Sequence, residues 1–389
     1  MNRFTRQMAS YLQQFGAVVR NEFRTIFTDG GVLLILVFAM LIYATAYSLA
    51  YGSQVLRNVP IGVVDACRTA TSRSLIETFN AGPNTYVAYE PTDMEEAREL
   101  FYGRKIYGVV YIPSDYERKL VGGSQADVAI YCDASYFLMY RQVFQELVTT
   151  IGQTGAMVEF RRLIAKGADI PQAQAVTQPV IYQSHNLFNP YLGYGTFVMP
   201  AIIIVIIQQT MLIGIGMIGG TWREHGLYRK LRPAGRGRMS TLPIVLGRAT
   251  VYALIYAVTC AYVLGLHYRM FHFPMNGQTG AVALFTAVYL AACIAMSIAV
   301  STLFRYRENS LLLLLWTSIP VLMLSGISYP REGIPEWMFA LGKFFPSSHG
   351  VNGFIRIQTM GASLGEVFAE IKWLVILTVA YGGLACIGI

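Results

Sequence analysis

Charge is scarce in this chain. Only 13% of its 389 residues are Asp, Glu, Lys or Arg, whereas 54% are hydrophobic, and a soluble domain carries about 25% charged residues. Six stretches contain none of these four residues, and each has at least the roughly 17 residues that a helix needs to cross the hydrocarbon core: Gly31–Gly52, Tyr191–Gly220, Ala249–Tyr268, Gly280–Phe304, Ser310–Pro330 and Trp373–Ile389. The composition predicts an α-helical polytopic membrane protein with six transmembrane helices.

Patterns that carry chemistry are missing as well. The five histidines are scattered and form no His-x-x-x-His pair, so no metal site is predicted. No Gly-x-x-x-x-Gly-Lys-Ser/Thr phosphate loop occurs. No Asp, Glu, Lys or Arg lies at the centre of any of the six stretches, which argues against an ion-coupled transporter. We therefore predict no catalytic residue and no enzymatic activity in this chain.

Cysteine is also rare, with five in the chain. Three of them fall in charge-free stretches, where they are expected to pack as small apolar side chains. Cys67 and Cys132 lie outside those stretches, at the ends of two candidate strands. Their spacing leaves open whether the two form a disulfide.

A polar block, residues 53–190, separates the first charge-free stretch from the other five. It alternates strand-like and helix-like patterns, which predicts an inserted α/β domain. A Thr-x-x-Glu sequence, Thr92 to Glu95, predicts a capping box at one helix start. The candidate strands are Val59–Asp65, Thr85–Tyr89, Ile106–Ile112 and Asp127–Cys132, and the candidate helices are Thr92–Tyr102, Ser114–Val121 and Phe137–Lys166.

Positive charge is concentrated on one side of the predicted membrane. Segments 1–30, 221–248 and 305–309 hold thirteen basic residues and only four acidic ones, Glu22, Asp29, Glu224 and Glu308. Basic residues favour the cytoplasmic side, so we expect a cytoplasmic N-terminus and an extracytoplasmic block 53–190. This asymmetry explains the net charge of +8 without a nucleic acid partner. Apolar residues spaced three or four apart in segment 1–30 predict an amphipathic helix.

Two motifs stand beside the charge-free stretches. Loop 221–248 contains Trp222-Arg223-Glu224-His225-Gly226, followed by Leu231 and Pro233. At the outer segment 331–360, Pro330, Pro335 and Pro346 bracket a run of about ten residues. That run is too short to cross a membrane, and it suits a re-entrant or interfacial helix near the outer face. Together with the layout of the chain, these motifs resemble permease subunits of ATP-binding-cassette (ABC) transporters of the type-2 exporter class. They are most similar to the subfamily with a large extracytoplasmic domain between helices one and two.

The resemblance implies roles for three groups of residues. The loop after the second helix would be the coupling segment for an ATPase subunit, with Arg223, Glu224, His225, Gly226, Tyr228, Leu231 and Pro233. The second and fifth helices would line a substrate path, with Gln208, Gln209, Met211, Trp316, Ser318 and Met323 as candidates. For the adjacent glutamines, hydrogen bonding between helices is an equally good interpretation. An outer gate segment would include Gly326, Pro330, Pro335 and Pro346.

The expected function is therefore that of an exporter permease in the bacterial inner membrane, moving a lipid-like, drug-like or other amphipathic substrate. The resemblance implies no cofactor in this chain, because ATP and magnesium would bind the separate ATPase subunit. A second permease copy or a sibling permease, a periplasmic adaptor and membrane lipids are the other expected partners. The alternative is a membrane-anchored assembly or sensor protein whose external α/β domain binds a ligand.

Overall fold

A computed structural model describes residues 3–181, 183–228 and 241–389. The chain forms two compact units, one from residues 1–54 and 186–389 and the other from Val55–His185. In chain order the helices are α1 (Arg3–Thr28), α2 (Gly30–Ala50), α3 (Ala70–Asn80), α4 (Met94–Tyr102), α5 (Tyr116–Val121), α6 (Phe137–Ala165), α7 (Ile170–Thr177), α8 (Tyr194–Glu224), α9 (Leu242–Met270), α10 (Thr279–Ser301), α11 (Asn309–Leu324), α12 (Glu336–Gly342), α13 (Pro346–Phe354) and α14 (Phe368–Gly388).

Five of these helices are long and apolar enough to cross a membrane, namely α2, α8, α9, α10 and α14. The predicted polytopic helical class is thereby confirmed. The stretch Ser310–Pro330 instead contains the 16-residue α11, about 24 Å long at 1.5 Å per residue. Gly326, whose φ of +86° is incompatible with a continuing α-helix, follows its end. Among the described residues the structure thus gives five clear spans, and the sixth stays a prediction.

Helix α8 forms the centre of the membrane unit, and most of its residues are buried. Its glycines allow other segments to approach closely. A Cβ added at Gly214 would lie 2.3 Å from Leu36, and one added at Gly220 would lie 2.6 Å from the carbonyl oxygen of Tyr306. Small residues of this kind permit close packing between membrane helices.

Helix α1 buries one face, as its amphipathic pattern predicts. Val18, Glu22 and Ile26, spaced four residues apart, are all fully buried. A Cβ added at Gly247 of α9 would lie 2.9 Å from Val18, so α1 packs directly on α9. At its end, Asp29 caps α2 by accepting hydrogen bonds from the backbone N–H groups of Gly31 and Val32.

The second unit is built on one four-stranded sheet. Its strands are β1 (Val59–Asp65), β2 (Thr85–Tyr89), β3 (Gly108–Ile112) and β4 (Ala129–Cys132), in the order β2-β1-β3-β4. Strand β1 is parallel to both β2 and β3, and β4 is antiparallel to β3. Strands β1 and β2 have the predicted bounds, whereas β3 and β4 each begin two residues later than predicted.

Helix starts in this unit differ from the prediction. Asp93, not Thr92, caps α4 by accepting from the N–H groups of Glu95 and Glu96, and Thr92 instead donates to the Glu96 carboxylate. Helix α3 was not predicted, although its start carries a capping box formed by Thr69 and Ser72. A serine in place of the usual Glu or Gln hides that box from the pattern.

Cys67 and Cys132 are both free thiols in this structure. Burial raises the pKa of the Cys132 thiol to about 11. The thiol is therefore protonated at neutral pH, the form that does not react as a nucleophile.

Candidate functional site

A fully buried arginine, Arg248, lies near the start of α9. Its Nε donates to Glu22 Oε1 of α1 at 2.8 Å, and its Nη1 donates to the Tyr228 hydroxyl at 2.8 Å. Both members of the Arg248–Glu22 ion pair have no exposed side-chain surface. The pair therefore joins the amphipathic helix α1 to the membrane helix α9 through charges that are removed from water.

Further groups surround the same guanidinium. Its Nη2 lies 3.4 Å from the Tyr252 hydroxyl, and its Nη1 lies 3.5 Å from the Ser301 hydroxyl. The Trp222 ring lies 5.0 Å from the guanidinium carbon, within cation–π range. We call this set the arginine cluster; its members are Glu22, Trp222, Tyr228, Arg248, Tyr252 and Ser301. It links α1, α8, the segment after α8, α9 and α10.

The arginine cluster was not recognised in the sequence. In the sequence, Glu22 falls within the amphipathic pattern of segment 1–30, and Arg248 is one of the basic residues that predict topology. One signal was available, since Glu22 stands exactly between Val18 and Ile26 on the apolar face of α1. A carboxylate on a buried face requires a cation or a donor, and Tyr252 also donates a hydrogen bond to Glu22.

The predicted coupling residues divide into exposed and buried ones. Arg223, Glu224 and His225 are exposed at the end of α8, whereas Tyr228 is buried in the arginine cluster. Gly226 has a φ of +64°, which turns the chain between the two groups. The aromatic rings of Trp222 and Tyr228 pack edge to face, 5.4 Å apart. Leu231 and Pro233 lie outside the described residues.

The exposed turn is fixed on both sides. Trp222 and Tyr228, which flank residues 223–227, are both held in the arginine cluster. Arg223 also donates to the backbone carbonyl of Gly388, at 3.2 Å, at the C-terminal end of α14. A cation is stabilised at that end of a helix by the unpaired carbonyl groups. The turn therefore presents its side chains on a rigid base.

A second ion pair joins the segment after α10 to Asp29, the residue that caps α2. Arg307, in the segment after α10, makes a two-fold contact with the Asp29 carboxylate, and one of its hydrogen bonds measures 2.9 Å. The Arg307 guanidinium holds the pKa of Asp29 below its ordinary value of 3.8. The pair thus fixes the junction between α1 and α2.

This ion pair predicts a pH-dependent contribution to stability. Because the Asp29 pKa is lowered in the folded state, the contribution is complete above 3.8 and is lost as the pH falls through the lower folded value. We expect Arg307→Gln to lower the unfolding temperature at neutral pH and to differ progressively less from the wild type in acid. Arg305→Gln, at an exposed neighbour, is the control. A difference that does not shrink with acid would contradict the prediction.

The substrate-path candidates occupy two different settings. Gln208 and Met211 are fully buried in α8, and Gln209 is 8% exposed. On α11, by contrast, Trp316 is 78% exposed and Met323 is 53% exposed. Ser318, also on α11, is half-buried. A lining role for these six residues stays a prediction.

Gln208 has a definite partner. Its Oε1 accepts a hydrogen bond of 2.7 Å from the backbone N–H of Ser347, in the first turn of α13. The first N–H groups of a helix have no acceptor within the helix itself, so Gln208 supplies one from α8. This matches the interpretation of hydrogen bonding between helices, across 139 residues of sequence.

We expect Gln208→Leu to destabilise the protein by about 1–3 kcal/mol, because the buried Ser347 N–H loses its acceptor. Gln209→Leu is the matched control, since the side-chain amide of Gln209 has no hydrogen-bond partner within the described ranges. Unfolding temperatures in detergent measure both variants. Equal changes in the two would contradict the capping role of Gln208.

Of the predicted outer gate residues, Gly326 follows the end of α11 and the three prolines stand at the starts of short helical segments. Pro330 precedes a 3₁₀ turn, Pro335 precedes α12, and Pro346 is the first residue of α13, where its fixed φ suits a helix start. The side chain of Arg331 lies over Gly326 and donates to the carbonyl oxygen of Ser348. A gating role for the segment stays a prediction.

Fold and site together define a multi-pass helical membrane protein whose amphipathic first helix and exposed turn meet at a buried ion pair. Comparison with known proteins gives the family. Residues 30–387 match the ABC-2 family transporter protein model, so the chain belongs to that family. The prediction that it belongs to the subfamily with a large domain between helices one and two is supported only by the layout of the chain. The chain is an ABC transporter permease.

Individual relatives cover nearly the whole chain. The "Probable multidrug ABC transporter permease YbhR" of Escherichia coli is 21% identical over 95% of this chain and 96% of its own length. The "Inner membrane transport permease YhhJ" of the same species is 25% identical over 93% of this chain and 92% of its own length. The "ABC transporter G family member 20" of Dictyostelium discoideum is 21% identical over 93% of this chain, but only 48% of its own length is matched.

Proposed function

We propose that this chain is the permease subunit of an ABC exporter that moves an amphipathic substrate out of the cytoplasm or the inner leaflet, driven by ATP hydrolysis on separate subunits. The observation that carries the proposal is the exposed turn Arg223–His225 on the buried arginine cluster. A turn of this kind can receive a partner protein and transmit its movement into the spans.

The ATPase subunit docks on Arg223, Glu224 and His225, which are exposed at the end of α8. Its closure displaces the turn, and Trp222 and Tyr228 pass that displacement to Arg248. Because Arg248 is paired with Glu22, α1 and α9 move with the turn as one body. Rigid-body movement of packed helices is an established form of transmission between distant sites.

We infer the orientation of the chain in the membrane from its basic residues, and its assembly with a second permease from exposed apolar residues. The basic residues at the N-terminus and in loop 221–248 favour a cytoplasmic position for both, which leaves Val55–His185 outside as a module for substrate or for a periplasmic adaptor. A second copy or a sibling permease completes the pore. The apolar residues Trp316, Ile319 and Met323 of α11, all more than half exposed, are available to such a partner or to lipid.

The substrate class is inferred from the spans. They contain no charged residue near their centres, so a lipid-like or drug-like molecule suits them better than a hydrophilic ion. The printed name of the relative YbhR, a probable multidrug permease, agrees with that class. Gln209 and Met211 on α8 and Ser318 on α11 are candidates for contact with it.

Docking can be tested by capture. The chain is co-expressed with a candidate ABC ATPase subunit from the same organism and is then purified through a tag on the ATPase. Arg223→Ala and Glu224→Ala are expected to reduce the captured permease at least about tenfold, since each removes a charged contact at a protein interface. Glu336→Ala, at an exposed glutamate at the start of α12, is the matched control.

Two results would overturn the proposal. Capture that is equal for the wild type, both turn variants and the control would exclude residues 223–224 as the docking site. ATP hydrolysis by the purified chain without any ATPase subunit would contradict the assignment of hydrolysis to a partner. The chain is also purified from cells whose ABC ATPase subunit carries an inactivating substitution in its nucleotide site. Activity that disappears in this preparation comes from traces of that ATPase subunit.

A further inference from the structure

A cleft of about 410 Å³ lies between α9 and α10, within the range of about 300–1,000 Å³ for small-molecule sites. Much of its wall consists of small side chains, which leave the space open: Ala257, Ala261, Gly265, Ala283 and Ala287. A Cβ added at Gly265 would meet no atom within 4 Å. The cleft therefore has room for an apolar chain against the helix surfaces.

One end of the cleft carries hydrogen-bond donors. Arg269, the last residue but one of α9, is exposed, and its guanidinium makes no hydrogen bond or ion pair to any residue that the structure describes. Gln358 also lines the cleft and is 2% exposed, yet its Nε2 has no partner among the described residues. The hydroxyl of Thr286, buried in the wall on α10, likewise lacks one there.

The position of Gln358 is fixed by its backbone. Asn276 donates from its backbone N–H to the Gln358 carbonyl oxygen at 3.0 Å and from its side chain to the Thr359 carbonyl oxygen at 2.7 Å. These bonds tie the connection between α9 and α10 to the π-helical segment Ile355–Thr359, which continues α13. The amide of Gln358 is therefore held at the cleft while its donor group stays free, and a buried donor without an acceptor is costly.

The donors restrict what can occupy the cleft. A neighbouring transmembrane helix could pack on the small residues, but apart from its last turn its backbone carbonyl groups are bonded within the helix, so along its length it offers no backbone acceptor to Gln358 or Thr286. The occupant needs acceptor oxygens at one end and an apolar tail at the other. From Ala257 to Arg269 the cleft follows twelve residues of helix, about 18 Å, close to the depth of one leaflet of a core about 30 Å thick.

We propose that this cleft binds a membrane phospholipid, with one acyl chain along the small residues of α9 and α10. Arg269 and Gln358 bind its phosphate oxygens, and the Thr286 hydroxyl donates to an ester carbonyl oxygen. A guanidinium suits a phosphate because it donates two parallel hydrogen bonds to it. The site lies apart from the arginine cluster and requires neither ATP nor an ATPase subunit.

The acyl part is tested by filling the cleft. The full chain, purified in detergent, is titrated with palmitoyl-oleoyl phosphatidylglycerol, and bound lipid is counted by native mass spectrometry. Gly265→Leu is expected to reduce the one-lipid species at least about fivefold, and Ala287→Leu does the same from α10. Gly383→Leu is the matched control, because it adds the same side chain to a membrane helix where no atom lies within 4 Å of the Cβ.

The headgroup part is tested by changing the ligand. Arg269→Gln is expected to weaken phosphatidylglycerol binding severalfold and to leave dioleoylglycerol, which lacks the phosphate, unchanged. Glycerol 3-phosphate, which lacks the chains, should not be retained. Equal lipid retention by the wild type, Gly265→Leu and Ala287→Leu would overturn the site. Equal loss of both lipids in Arg269→Gln would overturn the phosphate contact. Monodisperse elution and unchanged helicity establish that each variant is folded.

Discussion

Arg248→Met is expected to destabilise the protein by about 3–5 kcal/mol, because it leaves the buried Glu22 carboxylate without its cation. Both side chains are fully buried, so water cannot replace the lost partner. The hydrogen bond to Tyr228 and the contact with Trp222 disappear as well. Unfolding temperature and the yield of monodisperse protein in detergent measure the effect.

A double variant distinguishes the contribution of the ion pair to stability from that of side-chain packing. Glu22→Leu combined with Arg248→Met removes both members of the pair, and apolar replacement of a whole buried pair is often close to neutral. We therefore expect the double variant to be more stable than either single variant. Arg307→Met is the comparison, because its ion pair with Asp29 is partly exposed and should matter less. Additive losses in the double variant would show that the two charges do not interact.

The same double variant tests the coupling role. With the pair replaced by apolar side chains, the fold is expected to survive, whereas Tyr228 loses its link to Arg248 and the exposed turn loses part of its base. Substrate-stimulated ATP hydrolysis of the assembled transporter should then fall although the ATPase subunit is still captured. Full stimulation in a stable double variant would show that the cluster serves folding alone.

The membrane class could be predicted from sequence because the hydrocarbon core imposes a strong demand on length and charge. Five of the six charge-free stretches contain long apolar helices. The sixth stretch, Ser310–Pro330, contains only the shorter α11, because the absence of charged residues does not show where a helix ends. Gly326, four residues before Pro330, has a positive φ and stops α11, which no hydropathy window registers.

The sequence signals that Glu22 needs a buried partner, but it does not identify Arg248 as that partner because the two are far apart in the chain. Glu22 and Arg248 are separated by 226 residues, and a count of basic residues does not distinguish an exposed charge from a buried one. Gln208 posed the same problem, since a glutamine in a membrane helix can serve a substrate or another helix. Only its contact with Ser347 distinguishes these roles.

Gly350→Leu is the other substitution expected to have a large effect, because three helices meet at this position. A Cβ added at Gly350 of α13 would lie 2.4 Å from the ring of Tyr289 on α10 and 3.1 Å from Ile204 on α8. The Tyr289 ring is fully buried, and its hydroxyl donates to the Ile204 carbonyl oxygen at 2.6 Å. The ring therefore cannot move away without breaking that bond, and overpacking of a dense core costs about 1–3 kcal/mol or more.

Restoring the space should restore the fold. Tyr289→Ala alone leaves a cavity worth about 3–5 kcal/mol, but combined with Gly350→Leu the added side chain fills part of it. The double variant is therefore expected to unfold at a higher temperature than Tyr289→Ala alone. Gly383→Leu, placed in open space on α14, should match the wild type. If Gly350→Leu is as stable as that control, α13 does not pack against α8 and α10 in the way described, and Gln208 would have no helix start to cap.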